Sequence, residues 1–378
     1  MNVLHVTSSL SDGGAEAVLY RVVTNDESDL HYVISLTGDG KYGQLLREAG
    51  VTVTTLDMGR GSFTLQGLHR LLLAIRSWPA DVMQTWMYHS DLLGGILGRI
   101  SGTPVVWGLR NTVLEPGKSS LSTIWVARLC AWLSCWIPTR IVACAQAAVG
   151  VHSALGYDAE RMVVIPNGYD LSLFVSDIAA RKRLRADWGV SDSMPLIGMV
   201  ARFDPYKDHT NLLAALTNLK AQGVDFRAVL VGTDVEVGNE VLMAKVKAEG
   251  LTDHVFLLGP RHDIPDIMSA LDIHVLSSSA EAFPNVLAEA MACGTPCVTT
   301  DVGDAACIVG DTGWVVPPSN SQALAFALNT ALVDRRCPTG WVDRQQRCRH
   351  RIASEYSMEK MVIRYREVWT EVATLRSA

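Results

Sequence analysis

Cationic charge, cysteine pairs and long apolar runs are all scarce in this 378-residue chain. Lysine and arginine number 33 against 39 aspartate and glutamate, for a net charge of −6. That balance argues against nucleic acid as a partner, although it leaves room for a local basic face. The eight cysteines (130, 135, 144, 293, 297, 307, 337 and 348) form no C-x-x-C and no paired metal-ligand spacing. They read as small buried hydrophobes in a reducing compartment. The most apolar stretch, LSTIWVARLCAWLSCWIP at 121–138, is interrupted by Arg128 and ended by Pro138. It falls short of the ~20 apolar residues of a membrane span. The opening MNVLHVTSSL has neither a basic n-region nor a long apolar h-region, so it reads as a strand and not a leader. The expectation is a cytoplasmic protein.

What is present is ample apolar material, 48% of residues, with no low-complexity tract. The length suits two domains of ~100–200 residues each. Short β-branched runs alternate with helical patterns, the signature of α/β architecture with parallel sheets. In the first half the candidate strands are NVLHVTS, HYVISLT, VTVTTL, DVMQTW, PVVWGL, RIVAC and MVVIP. Strands resume with PLIGMVAR, DFRAVLVG, HVFLLG, IHVLS, PCVTT and GWVV. Between the two sets lies the charged stretch LSLFVSDIAARKRLRADWGVSDSM, read as a linker. This gives an expected first domain over 1–175 and a second over 176–357. The last helix, from 358, puts Met358, Met361, Val362, Tyr365, Val368, Trp369 and Val372 on one face, which either domain could receive.

GDGKYG at 38–43 is a literal G-x-G-x-x-G, and Asp57 lies roughly 20 residues on, as in a dinucleotide fingerprint. Such a fingerprint belongs on the turn after the first strand of its sheet. Here it follows the second strand, so it reads as a plain turn whose glycines supply positive φ. The turn after the first strand is SDGGAE, where Gly13 and Gly14 precede a helix and would let backbone N–H groups approach an anion.

In the second half, SSSAEAFPNVLAEAMACGTP follows the strand IHVLS. Pro284 stands where a helix would start and Gly294 where it would stop. The first N–H groups, around Phe283 to Val286, suit a diphosphate. Glu281 and Glu289 are eight residues apart, or ~12 Å if both lie on the helix. That exceeds the ~5–5.5 Å or ~6.5–9.5 Å of a glycosidase pair. Separate roles fit better, one at a sugar and one at a nucleotide; Glu289 as a mere solvent-facing helix residue is the plain alternative.

Taken together, these motifs resemble those of a retaining nucleotide-sugar glycosyltransferase of glycosyltransferase family 4. Also part of the resemblance are VVIPNGYDLSLF, GMVARFDPYKDHTNLLAAL and LLGPRHDIPDIMSALDIHVLSSS. It covers nearly the whole chain and implies the GT-B fold, two Rossmann-like domains facing each other across a cleft. It further implies that Arg202 and Lys207 clamp the donor diphosphate, that Glu289 takes the ribose hydroxyls and that Glu281 contacts the transferred sugar. Phe283, Pro284, Asn285 and Val286 would line the turn between sugar and phosphate, with Arg261 near the base. Gly13 and Gly14 would meet the phosphate or reacting sugar, and Asn167 and Gly168 join the substrate-binding set. His89, after the strand DVMQTW, would approach donor sugar or acceptor, with a buried structural histidine as the alternative. Arg110 would contact the acceptor.

The chain departs from the family in places. Ala282 stands where glycine usually follows the first glutamate, and ACAQAA precedes His152 where serine is common. No D-x-D occurs anywhere. This removes the metal-chelating pair of the other large glycosyltransferase fold, and arginine, lysine and helix N-termini can neutralise the diphosphate instead. Neither a cofactor nor a metal is therefore expected. The expected partners are a nucleotide sugar, UDP-linked before GDP-linked, and a glycan or lipid-linked acceptor in polysaccharide biosynthesis. Trp125, Leu129, Trp132 and Trp136 form one helical stripe with Lys118, Arg128 and Arg140 nearby. This stripe is either the inner face of a helix covering the first sheet or a contact with the inner membrane surface. Two rival readings stay open: a non-catalytic nucleotide-sugar-binding scaffold, and an NAD-dependent oxidoreductase.

Overall fold

Each of the thirteen runs read as strands forms a strand. The structure is a computed structural model that describes residues 1–59, 64–112, 114 and 119–375. The chain divides into two units: Met1–Gly168 with the C-terminal segment from Met358, and Tyr169–Ser357.

The first unit holds β1 (Asn2–Thr7), β2 (Leu30–Ser35), β3 (Thr52–Thr55), β4 (Val82–Trp86), β5 (Val105–Leu109), β6 (Arg140–Ala143) and β7 (Met162–Val164). Its helices are α1 (Gly14–Asn25), α2 (Gly40–Glu48), α3 (Leu65–Ser77), α4 (Tyr88–Ile100), α5 (Leu121–Leu133) and α6 (Gln146–Leu155). The strands are parallel, in the order β3-β2-β1-β4-β5-β6-β7. Every residue of β4 and β5 is buried, as expected for parallel strands covered on both faces. The strand order reverses at β1 and β4, so the loops after these two strands leave the sheet at its switch point.

The second unit holds α7 (Ile178–Asp187), β8 (Leu196–Val200), α8 (His209–Ala221), β9 (Arg227–Val231), α9 (Glu240–Ala248), β10 (Val255–Leu257) and α10 (Ile264–Ala270). It continues through β11 (Ile273–Leu276), α11 (Asn285–Ala292), β12 (Cys297–Thr300), α12 (Ala305–Val309), β13 (Trp314–Val316), α13 (Ser321–Asp334) and α14 (Pro338–Glu355). The order β10-β9-β8-β11-β12-β13 repeats the same reversal, at β8 and β11. Both units are Rossmann-like.

The last helix, α15 (Met358–Thr374), packs on the first unit. Its apolar face, from Met361 to Val372, is buried in a core shared with α1 and the sheet. Trp369 Nε1–H donates to Gln84 Oε1 (3.1 Å), which satisfies two polar groups that the core would otherwise strand.

Three expectations are corrected. The charged stretch read as a linker contains α7, which buries Ala180 and Leu184. Its Arg181 and Arg185 both pair with the buried carboxylate of Asp272, so charge that looked solvated is neutralised inside. GDGKYG is only in part a turn. Gly40 has φ +52° and a Cβ there would strike Leu10 O at 2.3 Å, but Gly43 lies inside α2. Of the eight cysteines, Cys135, Cys307 and Cys337 are exposed. Lys118, placed near the tryptophan stripe, lies outside the described residues.

Candidate functional site

In the second unit the functional candidates gather at the carboxyl ends of β8 and β11. The loop after β8 carries Arg202 and Lys207, and the loop after β11 carries Glu281. Backbone and hydroxyl bonds lace the two loops together: Ser279 N–H donates to Tyr206 O (2.7 Å), and Ser277 Oγ donates to Lys207 O (2.9 Å). This lacing brings Lys207 Nζ to within 2.5 Å of Glu281 Oε1, which also accepts from Ser278 Oγ at 2.7 Å. Arg202 is two-thirds exposed and leans on Asp204 at 3.1 Å. Nearby His209 is buried at the first turn of α8. Burial first, and the Lys207 charge second, pull its pKa down to about 4, so its neutral ring adds no cation there.

Glu281 sits in the loop before α11, whereas Glu289 lies within that helix. The N-cap of α11 is Pro284, with no side-chain cap, whereas α7, α8, α9 and α13 are each capped by an aspartate or asparagine side chain. Val286 N–H has no acceptor among the described residues. Unfilled donors and the helix dipole together favour an anion at such an end. Phe283 and Pro284 are buried, Phe283 with its ring 5.8 Å from that of Tyr356. Asn285 Oδ1 accepts from Tyr169 OH at 2.5 Å.

The loop around Glu281 is itself held from behind. Asp304 N–H donates to Ala282 O (3.0 Å), and Gly303, at φ +53°, would place a Cβ 2.3 Å from that same oxygen. Only glycine fits this crossing. Ala282 is not among the residues of positive φ, so its backbone makes no demand for the family's glycine.

In the first unit, Gly13 is the N-cap of α1 and offers no capping side chain. A Cβ on Gly14 would meet nothing within 4 Å. His89 lies in the first turn of α4, at the end of the neighbouring strand β4, half-buried and with its pKa lowered by burial. Ser8 Oγ and Ser90 Oγ share a hydrogen bond of 2.9 Å, which joins the glycine loop to the start of α4. Met87, just before, holds φ +75°, and backbone strain of this kind clusters at ligand sites.

The remaining candidates have partners of their own, and Arg110 also stacks over Trp86 at the end of β4, 5.2 Å from the ring centroid. Arg110 donates to Asn167 Oδ1 (2.9 Å) and Tyr365 OH (2.7 Å), so its guanidinium ties β5 to α15. Gly168 N–H points at Met361 Sδ. Arg261, after the outer strand β10, pairs with Asp263, whose pKa that guanidinium lowers. His152 is fully buried, bonded to Tyr88 OH through Nε2 and to Ala148 O through Nδ1. Ser278, Asp204 and Tyr169 were missed in the sequence. Each lies within a few residues of a candidate, in SSSAE, RFDPYK and NGYD, and only the fold shows which side chain turns inward.

Comparison with known proteins gives a consistent result. A family described as Glycosyltransferase Family 4 matches residues 12–173, and one described as Glycosyl transferases group 1 matches residues 180–352. The chain is 28% identical over 311 residues to the putative glycosyltransferase EpsF of Bacillus subtilis (strain 168), covering 79% of each chain. It is 23% identical over 322 residues to the UDP-Gal:alpha-D-GlcNAc-diphosphoundecaprenol alpha-1,3-galactosyltransferase of Escherichia coli, covering 82% of this chain and 80% of the relative. Among solved structures it shares its fold with Anabaena HepE in complex with UDP, at a TM-score of 0.85 and 24% identity, over 98% of this chain and 100% of that one.

Proposed function

The chain belongs to the GT-B glycosyltransferases that join a Family 4 domain to a group 1 domain, and from that premise we propose a retaining hexosyltransferase. Its donor is a UDP-linked sugar, and its acceptor is a glycan or lipid-linked saccharide in cell-surface polysaccharide biosynthesis. The observation that carries this reading is the Lys207–Glu281 pair at the switch point of the second sheet. A diphosphate bound there gives Lys207 a second anion. Glu281 is then released to accept a hydrogen bond from a sugar hydroxyl. Exposed Arg202 and the uncapped start of α11 supply the remaining positive potential.

In the transfer step the bond from the anomeric carbon to the β-phosphate oxygen breaks, and the diphosphate leaves. The acceptor hydroxyl attacks from that same face, and its proton passes to the departing phosphate. Arg202 and Lys207 stabilise the charge that develops on the leaving group. Glu289, one turn into α11, takes the ribose hydroxyls; Phe283, Pro284 and Asn285 line the turn between sugar and phosphate. His89, Gly13 and Gly14 serve the sugar and acceptor from the first unit. The UDP and UDP-glucose complexes of Anabaena HepE support the donor. The diphosphoundecaprenol in the name of the E. coli relative supports a lipid-linked acceptor.

The test is incubation with a panel of UDP-sugars, with and without a lipid-diphosphate saccharide, scoring UDP release and the anomeric configuration of the product. One sugar should release UDP faster with acceptor and give a product of the donor's configuration. UDP binding without release from any sugar would favour a scaffold, and NAD(P) binding an oxidoreductase.

A further inference from the structure

Helix α5 has one face too many for a helix that only covers a sheet. Ile124, Val126, Ala127, Cys130 and Ala131 are buried, and they suffice to dock it. The opposite stripe leaves Leu121 at 66%, Trp125 at 67%, Leu129 at 43% and Trp132 at 64% exposure, and Trp136, in the turn beyond the helix and not on it, is at 54%. The tryptophans alone present roughly 400 Å² of aromatic surface, about the size of a patch that marks an interaction site. Trp132 and Trp136 pack edge to face at 5.1 Å, and the Arg128 guanidinium lies 5.7 Å above Trp125.

Charge indicates the occupant. From Ser119 to Pro138 the sequence contains no acidic residue, and its one charge is Arg128, in a chain of net charge −6. Where the stripe ends, Trp136 forms the wall of a surface cavity of about 510 Å³ lined by Arg99, Arg140, Arg161 and Leu375. Arg140 is paired with Glu371 and Arg161 with Asp158. Arg99 is exposed and has no ion-pair partner among the described residues. Leu375 and Ile100 add exposed apolar side chains beside it. Aromatic side chains in a row, flanked by unpaired cations, fit the headgroup level of an anionic bilayer. No helix among the described residues is long and apolar enough to cross a membrane, so contact of this kind is with the surface.

We propose that α5 and the Arg99 cavity form a seat for an anionic lipid bilayer, with the tryptophans at headgroup depth and Arg99 and Arg128 on lipid phosphates. Arg140 and Arg161 begin β6 and precede β7, so the cavity lies at the amino-terminal edge of the sheet. The candidate residues His89, Gly13 and Gly14 belong to the opposite edge. The cavity end of the seat thus lies across the sheet from those residues, and binding there does not depend on the proposed reaction.

The test is co-sedimentation of the purified chain, without substrate, with vesicles of phosphatidylglycerol and phosphatidylcholine or of phosphatidylcholine alone. The wild type should bind the anionic vesicles, more weakly as salt rises. Its tryptophan fluorescence should be quenched by headgroup-level spin-labelled lipid, a readout that requires no variant. Trp132→Ser with Trp136→Ser should lose about tenfold or more in partitioning with an unchanged circular dichroism spectrum. Arg99→Gln should lose about fivefold on anionic vesicles alone. Absence of binding and quenching in the wild type would overturn the proposal. So would unchanged binding in folded variants, or a wild-type dimer that the tryptophan variant dissociates, which would make the face a contact between copies.

Discussion

Gly14 is a glycine that its surroundings do not require. No atom stands within 4 Å of the place where a Cβ would go, and its φ is not positive. Under the proposed function the missing Cβ leaves room for a phosphate or sugar. Gly14→Ala should therefore melt at or slightly above the wild-type temperature, since alanine is the better helix former, yet lose tenfold or more in turnover. Intact turnover would remove Gly14 from the site. Asp91, in the first turn of α4, presents the opposite case: its carboxyl is fully buried and accepts from Thr85 Oγ1 (2.5 Å) and Gly108 N–H (3.2 Å). Burial raises its pKa to about 8, and those two hydrogen bonds offset only part of the rise. Folded, it keeps its proton up to about that pH, whereas the unfolded chain releases it near the ordinary carboxylate value. Stability from this group is thus full in acid and lost as pH climbs towards 8. Asp91→Asn has no proton to lose and keeps the Oδ1 acceptor. Its amide N–H groups would stand where Asp91 Oδ2 is buried without a partner among the described residues, so the variant has its own cost, but its melting temperature should rise relative to the wild type's from pH 5 to pH 8; a constant difference would mean that Asp91 is ionised in the fold.

At the scale of the element, α11 separates its two glutamates. Glu281 lies in the loop before the helix and is paired with Lys207, whereas Glu289 is held within the helix. A lost charge-assisted hydrogen bond is worth ~1.5–3 kcal/mol, and ~1.4 kcal/mol is a factor of ten. Glu289→Ala should weaken UDP binding roughly ten- to a hundredfold by calorimetry. Glu281→Ala should bind UDP at least as tightly as the wild type, because it frees Lys207 for the diphosphate, and should depress turnover, since in the proposed function its contact is with the sugar, which the free nucleotide lacks. Equal losses of UDP affinity in both variants would end this division of labour. The start of α11 was legible because proline and glycine punctuate it. Helix α7 was not, because Asp272, which neutralises Arg181 and Arg185, lies far away in sequence. A charge run and a buried ion network have the same composition.

Across the whole molecule, the strands were legible because parallel strands buried on both faces are written as continuous β-branched runs. The same property let the order of elements dismiss GDGKYG, and the sheet order puts it after β2, away from the switch point at β1 and β4. The pairings within the site were less legible. That Ser278 joins Lys207 on Glu281, or that Arg110 is committed to Asn167 and Tyr365, depends on where side chains turn after the fold has formed. In this chain without D-x-D, the proposed function has side-chain cations, not a divalent metal, hold the donor diphosphate. The rate of UDP release from the preferred UDP-sugar in EDTA, for the wild type, Arg202→Ala and Lys207→Ala, decides between the two. Full wild-type activity is expected in EDTA, with a loss of about 10²–10³ in each folded variant. A wild type silent in EDTA and restored by Mn²⁺ or Mg²⁺, or variants that turn over at the wild-type rate, would contradict this role for the side-chain cations.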